Sequence, residues 1–286
     1  MMTPRFLQNR LFGRNKATPL AEAHGNEDHA LLILHSSDDI YGADRVVDRV
    51  AKLAAASEMV TVNVWRPTDL GPSNRSLVGT DSHPRLTEES VPFPVLRRAN
   101  MTIFGIVQLL RMLPQTANKM RQHEFSSVYV GTSACLLVAP LARLLRIKQV
   151  TLHLQENWVG LEGRLLGILG LACTDIICIS EAIKNQLPPS LQRRAVVVLN
   201  GMAAPAYKQT DLLPRIDEKL SFVVASRWNS WKGHETLLDA WSISAGPHRL
   251  LILGGPPKSG THVDVRALVS KLPNSESVSV VGEVPD

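Results

Sequence analysis

The sequence predicts two doubly wound α/β domains in succession, the second one incomplete. Three observations carry this. Short apolar runs alternate with stretches of helical periodicity from residue 30 to residue 199, as repeated β–α units on a parallel sheet require. The alternation breaks over residues 200–219, which are rich in turn formers and charge, and restarts at Leu220. Aromatic residues make up only 5% of the chain while Ala, Leu and Val dominate, which suits parallel strands buried under helices better than an all-β sandwich.

Taken in order, Ala30–His35 (ALLILH) reads as a fully buried strand. Ala43, Val46, Val47, Val50, Leu53 and Ala54 then recur at spacings of three and four, one face of an amphipathic helix over residues 43–57. Met59–Trp65 is a second strand. Residues 66–96 hold prolines at 67, 72, 84, 92 and 94 with Gly71 and Gly79, and are expected to form a long irregular connection. A helix follows from about Asn100 to Arg121, with Pro114 expected to kink or divide it. Strands are then expected at Ser127–Val130, Gln149–His153, Asp175–Ile179 and Ala195–Leu199. Helices are expected between them at Ser133–Arg146, Leu161–Ala172 and Glu181–Leu187.

The second domain repeats the pattern. Leu220–Ala225, Arg249–Leu253 and Ser277–Val281 read as strands, and His234–Ser244 and Val263–Leu272 as helices. The expected organisation is a disordered tail over 1–27, a first domain over 28–199, a linker over 200–219 and a second domain over 220–286. Three strands and two helices are about half of a doubly wound domain, so the second domain is expected to be cut short at Asp286.

Composition excludes several classes. The net charge of +5 comes from 31 bases against 26 acids, a mild surplus compatible with anionic substrates or an anionic membrane surface. No basic run, zinc-finger pattern or RNA-binding signature argues for nucleic acid. Cys135, Cys173 and Cys178 sit in apolar segments at spacings that fit no metal motif, so buried reduced thiols in a cytoplasmic setting are expected. The nine histidines form no HExxH pair, so no metal site is expected either. The longest apolar stretch, Leu165–Ile179, is interrupted by Thr174 and Asp175, so no transmembrane helix is expected. Arg5, Arg10, Arg14 and Lys16 precede the first acid, Glu22, a pattern read as a loose tail in preference to a transit peptide.

In open α/β sheets, ligands bind at the carboxyl edge of the strands. Directly after the strand LSFVVA comes Ser226-Arg227-Trp228-Asn229-Ser230-Trp231-Lys232-Gly233. Two cations five residues apart, between a strand and a helix, suit a diphosphate: Arg offers a planar fork and Lys a mobile point charge. The helix starting near Gly233 adds its positive end. A solvated basic loop is the plainer alternative.

The segment SRWNSWKGHETLLDAW resembles the GRL-x3-KGh-x2-Ll-Af segment of the family 4 retaining glycosyltransferases, with Ser226 in place of the leading Gly and Trp228 in place of the Leu. Further segments resemble that family in the right order. YGADRVVDRVA is similar to its GGAExh segment, with Gly42 matching and Tyr41 replacing the first Gly. TLHLQENW resembles its strand-end histidine segment at His153, and CISEAIKNQL its vSxxixxxL segment at Ser180, an N-cap or a cleft-facing group. VVVLNGMAAPAY resembles vipNGvD at Asn200 and Gly201, LLILGGPP resembles lxivGxGp at Gly254 and Gly255, and SVSVVGEVPD matches the strand that leaves through Gly-x-Val-x-Asp.

The resemblance implies a GT-B fold of two Rossmann-like domains and transfer of a sugar from a nucleoside-diphosphate sugar to an acceptor hydroxyl with retention. Such hexosyltransferase-type chemistry serves glycan, polysaccharide or glycolipid biosynthesis. It implies that Arg227 and Lys232 grip the donor diphosphate, that His153 lies beside the reacting sugar, and that Gly42, Asn200, Gly201, Gly254 and Gly255 contact the donor. It implies no cofactor and no metal, fixed cations standing in for Mg²⁺. The acceptor would be a glycan or a lipid-linked molecule, met in the cytoplasm or at the inner face of the membrane. The family's E-x7-E pair falls beyond Asp286, and Glu276 and Glu283 do not replace it, so the polypeptide itself is expected to be weakly active or inactive. Two alternatives stand beside this reading: a truncated, non-catalytic glycosyltransferase-like binding module, and a sugar-nucleotide epimerase, which would want carboxylates in its cleft. No GxGxxG opens either domain, which argues against a nicotinamide dehydrogenase.

The stretch around Arg97, Arg98, Arg111, Lys119 and Arg121 interleaves bases with Met101, Ile103, Phe104, Ile106, Val107, Leu109 and Leu110. Such a helix suits peripheral contact with an anionic membrane, and equally a surface helix packed on its own domain.

Overall fold

The computed structural model describes residues 29–37, 42–57, 59–68, 83–97, 100, 102–201, 219–244, 246–257 and 261–284. The expected N-terminal tail and residues 202–218 of the expected linker lie outside them, as do Arg98 and Met101. The chain divides into two compact units, Met1–Ala203 and Ala204–Asp286.

In the first unit the elements are β1 (His29–Leu34), α1 (Gly42–Ala55), β2 (Val60–Pro67), β3 (Leu86–Val91), α2 (Ile103–Gln122), β4 (Ser127–Val130), α3 (Val138–Leu144), β5 (Gln149–Leu154), α4 (Gly160–Gly170), β6 (Asp175–Cys178), α5 (Glu181–Gln186), α6 (Pro189–Gln192) and β7 (Ala195–Val197). The sheet is parallel throughout, in the order β3-β2-β1-β4-β5-β6-β7. The chain winds outward from β1 to β3 and then returns to the other side of β1. The carboxyl ends of β1 and β4 therefore flank the point where the winding reverses, the usual ligand crevice of such sheets.

The apolar runs are explained by burial on both faces. Leu31 and Ile33 of β1 join the core beneath α1, with Val47, Ala51 and Ala55. Leu32 and Leu34 join the opposite core, with Met120, Ala139, Ala142 and Leu166 from α2, α3 and α4. Side chains alternate across a strand, so a strand covered on both sides reads as an unbroken apolar run.

Of the expected irregular connection over 66–96, residues 69–82 lie outside the described residues, and the structure corrects part of the rest. Leu86–Val91 forms the edge strand β3, paired to β2 from Val62↔Leu86 to Pro67↔Val91. Its central acids find partners outside the local sequence: Glu88 pairs with Arg66, and Glu89 with Lys119 at 2.6 Å. The expected helix over 133–146 is a 3-10 turn, Ser133–Cys135, followed by the shorter α3. Pro114 sits inside the single helix α2, whose start is capped by the Thr102 hydroxyl accepting from Gly105 N. Ser180 caps α5 by accepting from Ile183 N at 3.3 Å.

The second unit holds β8 (Ser221–Ala225), α7 (His234–Ser242), β9 (Arg249–Leu253), α8 (Val265–Val269) and β10 (Val278–Gly282). Its parallel sheet runs β10-β9-β8. Trp228, Leu238, Trp241, Leu250, Ile252 and Val265 form its core. The Trp241 indole donates to Ser277 Oγ at 2.9 Å, tying α7 to the turn that precedes β10. Among the described residues, no helix is long and apolar enough to cross a membrane.

Candidate functional site

The loop after β8 is held by a dense set of hydrogen bonds. Ser226 N donates to Leu253 O at 3.2 Å as the strand ends. Trp228, buried, donates from its amide to Gly255 O at 2.9 Å and accepts from Val263 N at 2.8 Å. Asn229 bridges His262, and Ser230 Oγ lies 2.8 Å from Thr261 Oγ1. The 3-10 turn Ser230–Lys232 ends at Gly233, whose φ of +74° is the left-handed conformation that glycine adopts without strain. His234 opens α7 in a buried position, with Nε2 3.3 Å from Ser226 Oγ. The two ends of the loop are thus stapled together and its middle is laced to Gly255 and to residues 261–263.

Arg227 and Lys232 leave this fixed backbone at the carboxyl edge of β8, Arg227 half-buried and Lys232 exposed. Gly254 and Gly255 lie on the same edge, after β9. Gly254 has φ +110° and donates to Gly282 O at 2.7 Å. A side chain on Gly255 would press on Glu283, whose Cγ lies 3.0 Å from the ideal Cβ position. Burial first, and then the charge of Lys232, hold His234 below the ordinary histidine range. A second positive charge is unfavourable there, at the start of a helix. Arg227, Lys232, two glycines and the first turn of α7 thus all follow the carboxyl ends of β8 and β9.

At the winding reversal of the first unit, Gly131 follows β4 and donates to Leu34 O at 2.9 Å. A Cβ there would come within 2.9 Å of that oxygen, so glycine permits the close approach. Beside it, Ser36 Oγ lies 3.1 Å from Thr132 Oγ1. The Ser133 hydroxyl accepts from the Trp158 indole at 2.8 Å and donates to Glu156 Oε2 at 3.2 Å. Glu156 is exposed at the rim. Desolvation by the surrounding protein nevertheless raises its carboxyl above the ordinary range, against hydrogen bonds from Gln155 N and Ser133.

Behind the rim lies a buried charge cluster. His35 Nε2 lies 2.8 Å from Asp44 Oδ1, Ser37 Oγ donates to the same oxygen at 2.9 Å, and Arg66 Nη1 stands 3.9 Å away. Arg66 also pairs with Glu88 and donates to Ser37 O. Burial alone would raise the Asp44 carboxyl, but His35, Ser37 and Arg66 together outweigh it and lower the pKa.

The expected site residues of the first unit are spread along this edge. Gly42 is the exposed first residue of α1, with no atom near enough to crowd a side chain. Asn200 and Gly201 are exposed after β7, and Arg49 of α1 donates to Gly201 O. His153 is not open at the strand end: it is 4% exposed, on the α1 side of the sheet, with Nδ1 sharing a 2.6 Å hydrogen bond with the Tyr129 hydroxyl. Its buried Nε2 makes no hydrogen bond, and burial pushes its pKa down to about 4. Sequence reasoning missed Glu156, Ser133 and His234, and passed over Asp44 within the segment it singled out. The available signals were an acid three residues past the strand-end histidine and an arginine, Arg66, inside the otherwise apolar strand VTVNVWRP.

No protein-family model and no curated protein matches the chain. Solved structures do. HepE of Anabaena, determined in complex with UDP-glucose, superposes with a TM-score of 0.66 at 16% identity, over 90% of this chain and 69% of its own. The lipopolysaccharide outer core galactosyltransferase WaaB gives 0.59 at 13% identity, over 90% and 68%. Sucrose-phosphate synthase of Thermosynechococcus elongatus gives 0.59 at 16% identity, over 90% and 71%. These neighbours are GT-B glycosyltransferases, and at such identity the likeness establishes the fold. The chain is an α/β protein of two Rossmann-like units with GT-B architecture.

Proposed function

We propose that this protein is a glycosyltransferase that moves a sugar from a nucleoside-diphosphate sugar to an acceptor hydroxyl, with retention, in the manner of family 4. The observation that carries the reading is the laced loop Ser226–Gly233. It carries Arg227 and Lys232 at the carboxyl edge of β8, just ahead of α7, and is tied through Trp228 to Gly255 after β9. Neighbours of the same fold determined with UDP-glucose, with UDP and glucose, and with UDP support a nucleotide-sugar donor.

In this reading Arg227 and Lys232 bind the diphosphate and neutralise the charge that develops on it as the bond from the anomeric carbon to the phosphate oxygen breaks. The acceptor oxygen bonds to the anomeric carbon from the face the diphosphate leaves, and its proton passes to a phosphate oxygen of the leaving group. Fixed cations take the part of a divalent metal, so neither metal nor cofactor is required. The resemblance also assigns donor contacts to Asn200, Gly201 and Gly42 and a place beside the sugar to His153, which in the folded chain is buried against Tyr129. The acceptor, a glycan or lipid-linked molecule, is met in the cytoplasm or at the inner membrane face.

Calorimetric titration with UDP and UDP-sugars, with turnover measured in parallel, tests this. Arg227→Ala and Lys232→Ala should each weaken transition-state stabilisation by about 2–4 kcal/mol. Unchanged nucleotide affinity in the double variant would refute the assignment.

A further inference from the structure

The exposed carboxylate of Glu156 is held in one place. Its Oε2 accepts from the Ser133 hydroxyl and from Gln155 N, both at 3.2 Å, and Oε1 takes part in neither bond. Ser133 is fixed in turn: its hydroxyl accepts from the buried Trp158 indole at 2.8 Å, and it opens the 3-10 turn after β4. The Gln155 side chain is tied to the same strand end, donating to Gly131 O at 3.1 Å. Ordering a glutamate side chain costs rotamer entropy, which a merely solubilising acid has no reason to lose.

The surroundings narrow what Oε1 can meet. Ser36 Oγ and Thr132 Oγ1, 3.1 Å apart, follow the ends of β1 and β4, beside Ser133. Hydroxyls, an amide and one carboxylate therefore gather at the carboxyl edge where the winding reverses. The largest effects on the carboxyl are burial and uncharged donors. Arg97, the base whose charge reaches the neighbouring Cys135 thiol, stands ahead of α2. An ionised carboxylate only accepts hydrogen bonds, so it suits hydroxyl hydrogens and opposes a second anion.

We propose that Glu156 accepts hydrogen bonds from the hydroxyls of a neutral saccharide, and so selects and orients the acceptor sugar on the first unit. Ser133 and Trp158 are positioning residues that fix the carboxylate. The proposal rests on the sugar-transfer reading and deepens it by naming the acceptor end: a sugar ring with hydroxyls and no anionic substituent. A site built to bond a hydroxyl discriminates strongly, because a ligand lacking it leaves the site's polar groups unpaired. A phosphorylated or uronic-acid ring would bring its charge against the carboxylate.

The test is saturation-transfer NMR with glucose, galactose, mannose and glucuronate as probes, in slightly alkaline buffer, beside calorimetric titration with UDP. At least one neutral sugar should bind, about tenfold more tightly than glucuronate. Glu156→Gln keeps the shape and can still accept from Ser133 and Gln155 N. It should weaken that sugar about tenfold and bring it level with glucuronate, with UDP affinity and melting temperature unchanged. Ser133→Ala should weaken the sugar less, and Ser133→Thr, which keeps the hydroxyl, should restore it. No binding of any neutral sugar, tighter binding of glucuronate, or unchanged sugar affinity in Glu156→Gln overturns the proposal. Wild type that binds sugar but not UDP overturns the sugar-transfer reading, and the acceptor role with it, while leaving a saccharide site at Glu156.

Discussion

The α-carbon of Gly254 is packed so closely on the carbonyl of Ser226 that a Cβ there would lie 2.1 Å from the oxygen. Its φ of +110° is equally closed to other residues. Gly254→Ala should therefore cost about 1–3 kcal/mol in backbone strain alone, and displace the start of the loop that carries Arg227. Gly201→Ala is the comparison, because nothing crowds that position. Thermal unfolding should separate the two variants clearly. A Gly254→Ala protein as stable as wild type would show that the β8 and β9 ends are not held together as described.

What the sequence made legible follows the range of the interactions. The strand runs could be read because both faces of the sheet are covered, so residues such as Leu31 and Leu32 are apolar whichever way they point. The loop around Arg227 and Lys232 could be read because strand, turn glycine and helix follow one another directly. β3 could not, because LTEESV puts Glu88 and Glu89 at its centre and their partners, Arg66 and Lys119, lie far along the chain. The burial of His153 was equally illegible, since it depends on Tyr129 from the neighbouring strand. Glu156 reads locally as a solvated loop acid, and only the fold brings Ser133 to it.

His153 gives the protein a pH-dependent stability with a definite sign. Its pKa in the folded chain is about 4, against 6.5 ordinarily, because burial opposes the charged form. Between these values the unfolded chain binds a proton that the folded chain refuses, so stability falls as the pH falls. From about pH 7 to about pH 5 the loss is at most about 2 kcal/mol. His234, also lowered, acts in the same direction, and Glu156, raised, in the opposite one. The comparison is therefore between wild type and His153→Gln at each pH, by urea unfolding. The variant should lose less stability on acidification, and parallel curves would refute the burial of a neutral imidazole.

Asp44 anchors the start of α1 to the end of β1. It stands in the first turn of the helix, where a negative charge is favoured, and it accepts from both His35 and Ser37. Asp44→Ala would leave Arg66 with fewer buried partners and His35 Nε2 with one. Removing one member of a buried charge cluster costs about 3–5 kcal/mol. Asp44→Asn, which keeps the shape and loses the charge, should fall between that variant and wild type. Equilibrium unfolding in urea measures both, and a loss below about 1 kcal/mol for Asp44→Ala would mean that the cluster contributes little to holding α1.

Gly233 separates backbone conformation from side-chain contact, because no atom lies within 4 Å of where its Cβ would stand. Its left-handed φ of +74° is therefore the whole requirement. Asparagine tolerates that conformation and serves well at a helix start, whereas valine does not. Gly233→Asn should keep both the melting temperature and nucleotide binding close to wild type. Gly233→Val should either unfold the turn or swing Lys232 away from the edge it shares with Arg227, lowering UDP affinity more than it lowers stability. Calorimetric titration beside a thermal melt distinguishes the two effects. If valine binds nucleotide as tightly as asparagine, the turn does not set the position of Lys232, and the proposed diphosphate contact rests on Arg227 alone.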